Sequence, residues 1–250
     1  MSDTSASSRV TLAASGVLSV GLVLGLGLAG WFMGQGVERF RTADRVVTVK
    51  GLAEQDVASD YAIWTLNFRR ADNDFASVQK TLAADRDQVV AFLKTQGFKD
   101  EELDVRPLQV QDAFAREYAQ TGQPLRFGGA GRVVVKSERV ELVDKAARAT
   151  DPLIQAGVQL GSDTDGNGGL PRYQLRGFNT VKAALLAEAT QNARQQAEKF
   201  AAEAGAKLGR LKSANQGNIR VADDDGTDAD SGATRTKRLR VVSTFEYALD

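Results

Sequence analysis

The sequence contains neither cysteine nor histidine. Without cysteine there are no disulfides, no thiol nucleophile and no thiolate metal site. Without histidine the chain lacks the usual general base at neutral pH and the commonest transition-metal ligand. Hydrolytic triads, zinc centres and histidine proton shuttles are therefore excluded in their ordinary forms. An excess of charge is missing as well: 32 basic residues balance 32 acidic ones. No field of one sign draws in nucleic acid or an anionic lipid surface.

What is present is the composition of a folded protein, with 42% hydrophobic and 26% charged residues in a chain of 250. That length fits one anchor plus one domain large enough to bury a core without staples. Residues 1–9 form a short tail. From Val10 to Val37 no residue is charged, and the run holds Leu18, Leu22, Leu24, Leu26, Leu28, Trp31 and Phe32. A bilayer-spanning helix needs about 20 apolar residues, so 10–37 reads as a transmembrane helix or signal anchor, with a linker at 38–45. A cleaved signal peptide is the rival reading, because Gly27-Leu28-Ala29 has small residues at a suitable spacing. Arg39, Arg41 and Arg45 after the span, against Arg9 before it, would by charge alone put the C-terminal side in the cytoplasm. Gly25-Leu26-Gly27-Leu28-Ala29-Gly30 spells a dinucleotide fingerprint but follows no strand, so it carries no nucleotide site. Gly21/Gly25 and Gly30/Gly34 have a spacing that permits close packing of two membrane helices.

Beyond the linker, hydrophobic period marks the elements. Strands are predicted from Val46 to about Val57 and over Tyr61–Phe68, where Ala62, Trp64, Leu66 and Phe68 share one face. The short link Ala58-Ser59-Asp60 suggests a hairpin. Asp74 is placed to cap a helix to about Gln96, with Phe75, Val78, Leu82, Val89 and Leu93 as its apolar stripe and Gly97 as its stop. An edge strand over 103–118 changes phase at Pro107. After a turn at 121–124 a strand returns over 125–136. A single helix is expected over 140–156, with Val143, Ala147, Thr150 and Ile154 on one side. Short extended pieces follow at 158–160 and 173–178. The longest helix starts at an Asn179 or Thr180 cap and runs to Ala204, burying Leu186, Ala189, Ala193, Ala197, Phe200 and Ala204. Because that stripe is mostly alanine, its partner must lie close. Strands are expected at 208–215, 219–222 and 239–249, the last two separated by an acidic flexible loop at 223–236. Strands joined by turns and interrupted by helices indicate an α+β domain over 46–250, an antiparallel sheet covered on one face by helices.

Three segments carry a resemblance to a known family. They are Val47-Thr48-Val49-Lys50-Gly51-Leu52-Ala53-Glu54 with Asp60-Tyr61-Ala62-Ile63-Trp64; Ala187-Glu188-Ala189-Thr190-Gln191-Asn192-Ala193-Arg194 with Ala197-Glu198-Lys199-Phe200-Ala201; and Arg240-Val241-Val242-Ser243-Thr244-Phe245. In these the chain resembles the SIMPL family of bacterial envelope proteins, in its branch with an N-terminal membrane anchor. The resemblance implies an exported α+β domain on the periplasmic side of the inner membrane, homo-oligomers of ring or channel type, and an association with stress tolerance. It brings no catalytic residue and no cofactor, and on this reading the protein is not an enzyme.

Among local motifs, Asp163-Thr164-Asp165-Gly166-Asn167-Gly168 matches the first half of a calcium loop, with Asp163, Asp165 and Asn167 as oxygen ligands. Gln174 stands where the bidentate carboxylate would be, and an Asp/Asn/Gly turn accounts for the same residues. This loop underlies the alternative reading of a calcium- or ligand-binding sensor. Asp223, Asp224, Asp225, Asp228 and Asp230 read as a solvated acidic loop. Ser77-Val78-Gln79-Lys80 spells an acyl-enzyme signature inside an amphipathic helix, without its companion motifs. Glu101/Glu102, Arg69/Arg70 and Lys237-Arg238-Leu239-Arg240 read as solvated ends of elements, and no nucleic-acid partner is expected.

Overall fold

The computed structural model describes residues 25–31, 33, 45–115, 125–161 and 169–250. Within the expected membrane span, residues 25–31 and 33 are helical; the remainder of 10–37 lies outside the described residues. Among the described residues no helix is long and apolar enough to cross a membrane. The rest is α+β with antiparallel sheets, and it divides into two compact units. One unit takes residues up to Leu52, Ala189–Gly217 and Val242–Asp250; the other takes Ala53–Glu188 and Asn218–Val241.

The larger unit is built on β2 (Tyr61–Asp72). Its even-numbered residues Ala62, Trp64, Leu66 and Phe68 are all buried, as period two requires. β2 pairs in continuous register with β5 (Phe127–Ser137), from Ala62↔Ser137 to Asp72↔Phe127. The far edge of β5 carries β3 (Leu103–Val105) and β4 (Gln109–Asp112). The far edge of β2 carries β6 (Leu160–Gly161) and β7 (Arg172–Gln174). The expected edge strand is thus two strands: Pro107 has no N–H for the ladder, and pairing resumes two residues later. Helix α1 (Phe75–Thr95) is capped by Asp74, whose Oδ2 accepts from the Ser77 amide at 2.8 Å, and it is followed by Gly97 at φ +94°. Val78, Leu82, Val89 and Leu93 of α1 pack into the core. Phe75, the first of the expected stripe, is half exposed and lies edge-on to Phe127 at 5.7 Å.

The helix expected over 140–156 is two helices, α2 (Val140–Ala147) and α3 (Asp151–Gln155). Pro152 has no N–H to donate and its ring would crowd the Arg148 carbonyl, so the chain stops and restarts with Pro152 in a first turn. The break moves the buried face: Ala146 and Leu153 are buried where Ala147 and Ile154 were expected. The expected hairpin at 58–60 is also overturned. β1 (Val46–Ala58) and β2 belong to different sheets. The link carries no glycine, which tight two-residue hairpin turns favour. Its amides are taken elsewhere: Ser59 donates to the Arg235 carbonyl and Asp60 to that of Gln174. The Asp60 carboxylate accepts from the amides of Arg176 and Gly177 at 2.7 and 2.6 Å, just before helix α4 (Phe178–Glu203). Asn179 and Thr180 lie inside the first turn of α4 rather than at its cap.

In the smaller unit β1 is followed by β10 (Thr236–Leu249) and then β8 (Leu208–Asn215) in the strand order. β10 pairs with β8 from Thr244↔Asn215 to Leu249↔Leu208. The chain turns at Gly217, and β9 (Ile219–Asp223) then pairs with the first half of β10 in the larger unit. Val49, Ala193, Ala197, Phe245 and Tyr247 form the core of the smaller unit. The buried stripe of α4 is Leu185, Ala189, Ala193, Ala197 and Ala201; Leu186, Phe200 and Ala204 fall off it, with Phe200 54% exposed. The close approach expected of alanine is present, since a Cβ on Gly51 of β1 would stand 1.9 Å from the Ala189 carbonyl oxygen.

Candidate functional site

Asp163, Asp165 and Asn167 lie outside the described residues; Gln174 is an exposed residue of β7. Among the described residues no group of three or more acidic side chains is placed to hold a metal ion. Ser77 is spent on the start of α1, its hydroxyl donating to Asp72 at 2.8 Å.

Three ion-pair centres sit where sequence suggested solvated charge. At the first, Lys237 and Asp223 have no accessible side-chain surface, and Lys237 Nζ donates to Asp223 at 2.5 Å and to Asp230 at 2.8 Å. Asp223 also accepts from the amide and hydroxyl of Ser231 and of Thr234. Burial pushes the Asp223 carboxyl up, but this dense set of donors outweighs it and holds the carboxyl far below the usual range. The 223–236 loop is therefore organised around a buried anion. At the second centre Arg70 reaches the buried Asp85 of α1 through two bonds of 2.6 and 2.7 Å, and the Gly157 carbonyl through a third. Arg69 and Arg70 point to opposite faces of β2, and only Arg69 is exposed. At the third, Glu102 accepts from Arg139, from the Lys99 amide and from Ser137. Burial raises its pKa, and these bonds bring it down to about 2. The phenol of Tyr173 donates to Asp144 at 2.9 Å; burial and that carboxylate push its pKa up.

A cleft of about 590 Å³ opens on the outer face of the larger unit's sheet. Register places Gln111, Gly128 and Ala71 in one row across β4, β5 and β2, and Gln109, Ala130 and Arg69 in the next. Between the two glutamines and Arg69 the floor at Ala71, Gly128 and Ala130 carries at most a methyl group, and a Cβ on Gly128 would meet nothing within 4 Å. Phe127 and Leu125 close one end. Among the described residues the lining contains no carboxylate, hydroxyl or amine side chain, and of its two guanidinium groups that of Arg70 is already paired. Such a surface can hold a partner by contact and by hydrogen bonds to the side-chain amides of Gln109, Gln111 and Gln159. The signal for it was Gly128-Gly129-Ala130-Gly131, small residues in an otherwise apolar strand. On the inner face, Gly129 and Gly131 are required because a Cβ would strike Leu82 and the Phe68 ring.

The chain is thus an α+β protein with antiparallel sheets and an open cleft on the larger unit. The SIMPL family model, described as a protein of unknown function (DUF541), matches residues 47–244, and the chain belongs to that family. No curated protein matches the chain. A crystal structure of an uncharacterized conserved protein from Listeria innocua is similar at 11% identity, covering 76% of this chain and 91% of that one, with a TM-score of 0.18.

Proposed function

We propose that this SIMPL-family protein is a non-catalytic domain tethered to the inner membrane by residues 10–37, with its C-terminal domain in the periplasm, and that it acts by assembling with further copies of itself. The observation that carries this reading is the cleft across β4, β5 and β2, whose floor at Ala71, Gly128 and Ala130 leaves open room for a partner's side chains. Two features support self-association. The formal net charge of zero leaves identical copies without mutual repulsion. A shared membrane plane also raises their effective concentration. The tether is supported by the helical residues 25–31 and 33, where Leu26, Leu28, Trp31 and Met33 are apolar and exposed.

The test uses the full chain. Carbonate-washed membranes should retain it, and in detergent it should run as one defined oligomer. Gly128→Trp fills the cleft at a position with open space, so it should dissociate the oligomer while leaving the melting temperature unchanged. A wild-type protein that stays monomeric at every concentration would refute the assembly reading.

A further inference from the structure

The turn that leaves β9 towards β10 is exposed yet held in place. Residues 224–230 are all exposed, so packing does not fix them. Polar bonds do. The Asp223 amide donates to the Ala229 carbonyl at 3.0 Å, Asp225 accepts from the amide and hydroxyl of Thr227, and the buried Lys237 ties Asp223 to Asp230. A surface fixed before its partner arrives avoids an ordering cost on binding. The turn is also acidic. Asp224 is paired with Arg238, Asp225 with Thr227 and Asp230 with Lys237. The Asp228 carboxylate has neither hydrogen bond nor ion pair among the described residues.

The sheet cleft is the complement. Among the described residues its lining holds two guanidinium groups and no carboxylate. Arg70 is committed to Asp85, whereas the exposed Arg69 side chain has no ion pair or hydrogen bond among the described residues. Turn and cleft lie at opposite ends of the larger unit. Gly232, two residues past the turn, accepts from the Tyr173 amide, and Tyr173 pairs with Ala62 at the start of β2. The cleft sits by Arg69 and Ala71 near the end of that strand. From Ala62 to Ala71 the strand advances about 30 Å, at ~3.3 Å per residue, so the turn does not reach the cleft of its own copy. We propose that the acidic turn of one copy seats in the sheet cleft of the next, with Asp228 against Arg69. This rests on the assembly reading above and names the two surfaces that meet. Because the surfaces differ, the contact is heterologous and propagates head to tail rather than stopping at a dimer.

The full chain in detergent is followed by sedimentation velocity as wild type, Arg69→Glu, Asp228→Arg and the variant carrying both changes. Both positions are exposed, so the melting temperatures should match wild type. Each single reversal sets like charges together and should weaken self-association at least roughly tenfold. The double variant should regain the wild-type oligomer. So should an equimolar mixture of the two single variants, because alternating copies bring opposite charges together at every contact. The chain has no cysteine of its own, so Ala130→Cys combined with Ala229→Cys gives an independent readout: disulfide-linked species larger than a dimer, which neither single variant can form. A wild-type oligomer that Gly128→Trp dissociates but both reversals leave intact would overturn this pairing and spare the assembly reading. A monomeric wild type would overturn both. Single reversals that dissociate the oligomer without rescue by the double variant or the mixture, or a cysteine pair that links no further than a dimer, would overturn the contact between Asp228 and Arg69.

Discussion

Lys237 Nζ lies 2.5 Å from Asp223 Oδ1, and neither side chain retains accessible surface. A lysine at the start of a strand and an aspartate at the end of the preceding one thereby become the fixed centre of the β9–β10 connection. Breaking such a pair leaves an uncompensated buried charge. Lys237→Met should therefore lose about 3–5 kcal/mol in urea denaturation. Asp223→Leu combined with Lys237→Met should recover part of that loss, since no lone charge is left behind. A single variant as stable as wild type would show that the pair holds nothing in place.

Glu102 makes the acid limb of stability predictable. Its folded pKa is lowered to about 2 from the ordinary 4.5. A carboxyl lowered by folding contributes stability that is fully present above its unfolded value and lost as pH falls through the folded one. Stability should thus decline between about pH 4.5 and 2, and Glu102→Gln should flatten that part of the curve. Melting temperatures of both proteins across this range decide it.

Two glycines in strands should respond oppositely to the same change. Gly51→Ala drives a methyl against the Ala189 carbonyl of α4, where backbone must move, so a loss of about 1–3 kcal/mol or more is expected. Gly128→Ala meets open space and should stay within about 0.5 kcal/mol of wild type. Matched denaturation curves give both values.

Ser59→Ala removes an unsatisfied hydroxyl. The variant should be as stable as wild type or more so, by up to about 1–3 kcal/mol. A marked loss of stability would mean that the hydroxyl already has a partner.

Much of the fold is legible in local pattern. Period two in Ala62, Trp64, Leu66 and Phe68 reports a half-buried strand wherever that strand ends up pairing. Asp74 and Gly97 bracket α1 because a cap and a left-handed stop act within one turn. The alanine run of α4 announces a close neighbour, though the buried stripe is shifted by one residue at both ends, where Leu186 and Phe200 are as apolar as the residues actually buried.

The candidate sites were less legible, because each joins distant segments. Arg69 and Arg70 look alike in sequence, yet the pleat sends one to solvent and the other to Asp85. The bare cleft floor exists only once register aligns Ala71, Gly128 and Ala130.

Composition alone removed thiol and imidazole chemistry, and hydrophobic period alone was enough for the α+β class and the extent of most elements, since both depend on residues within a turn or two of each other. Strand partners, the buried charges and the cleft came from long-range pairing. They depend on which backbone donors find which acceptors across the chain, and a linear pattern carries no measure of that.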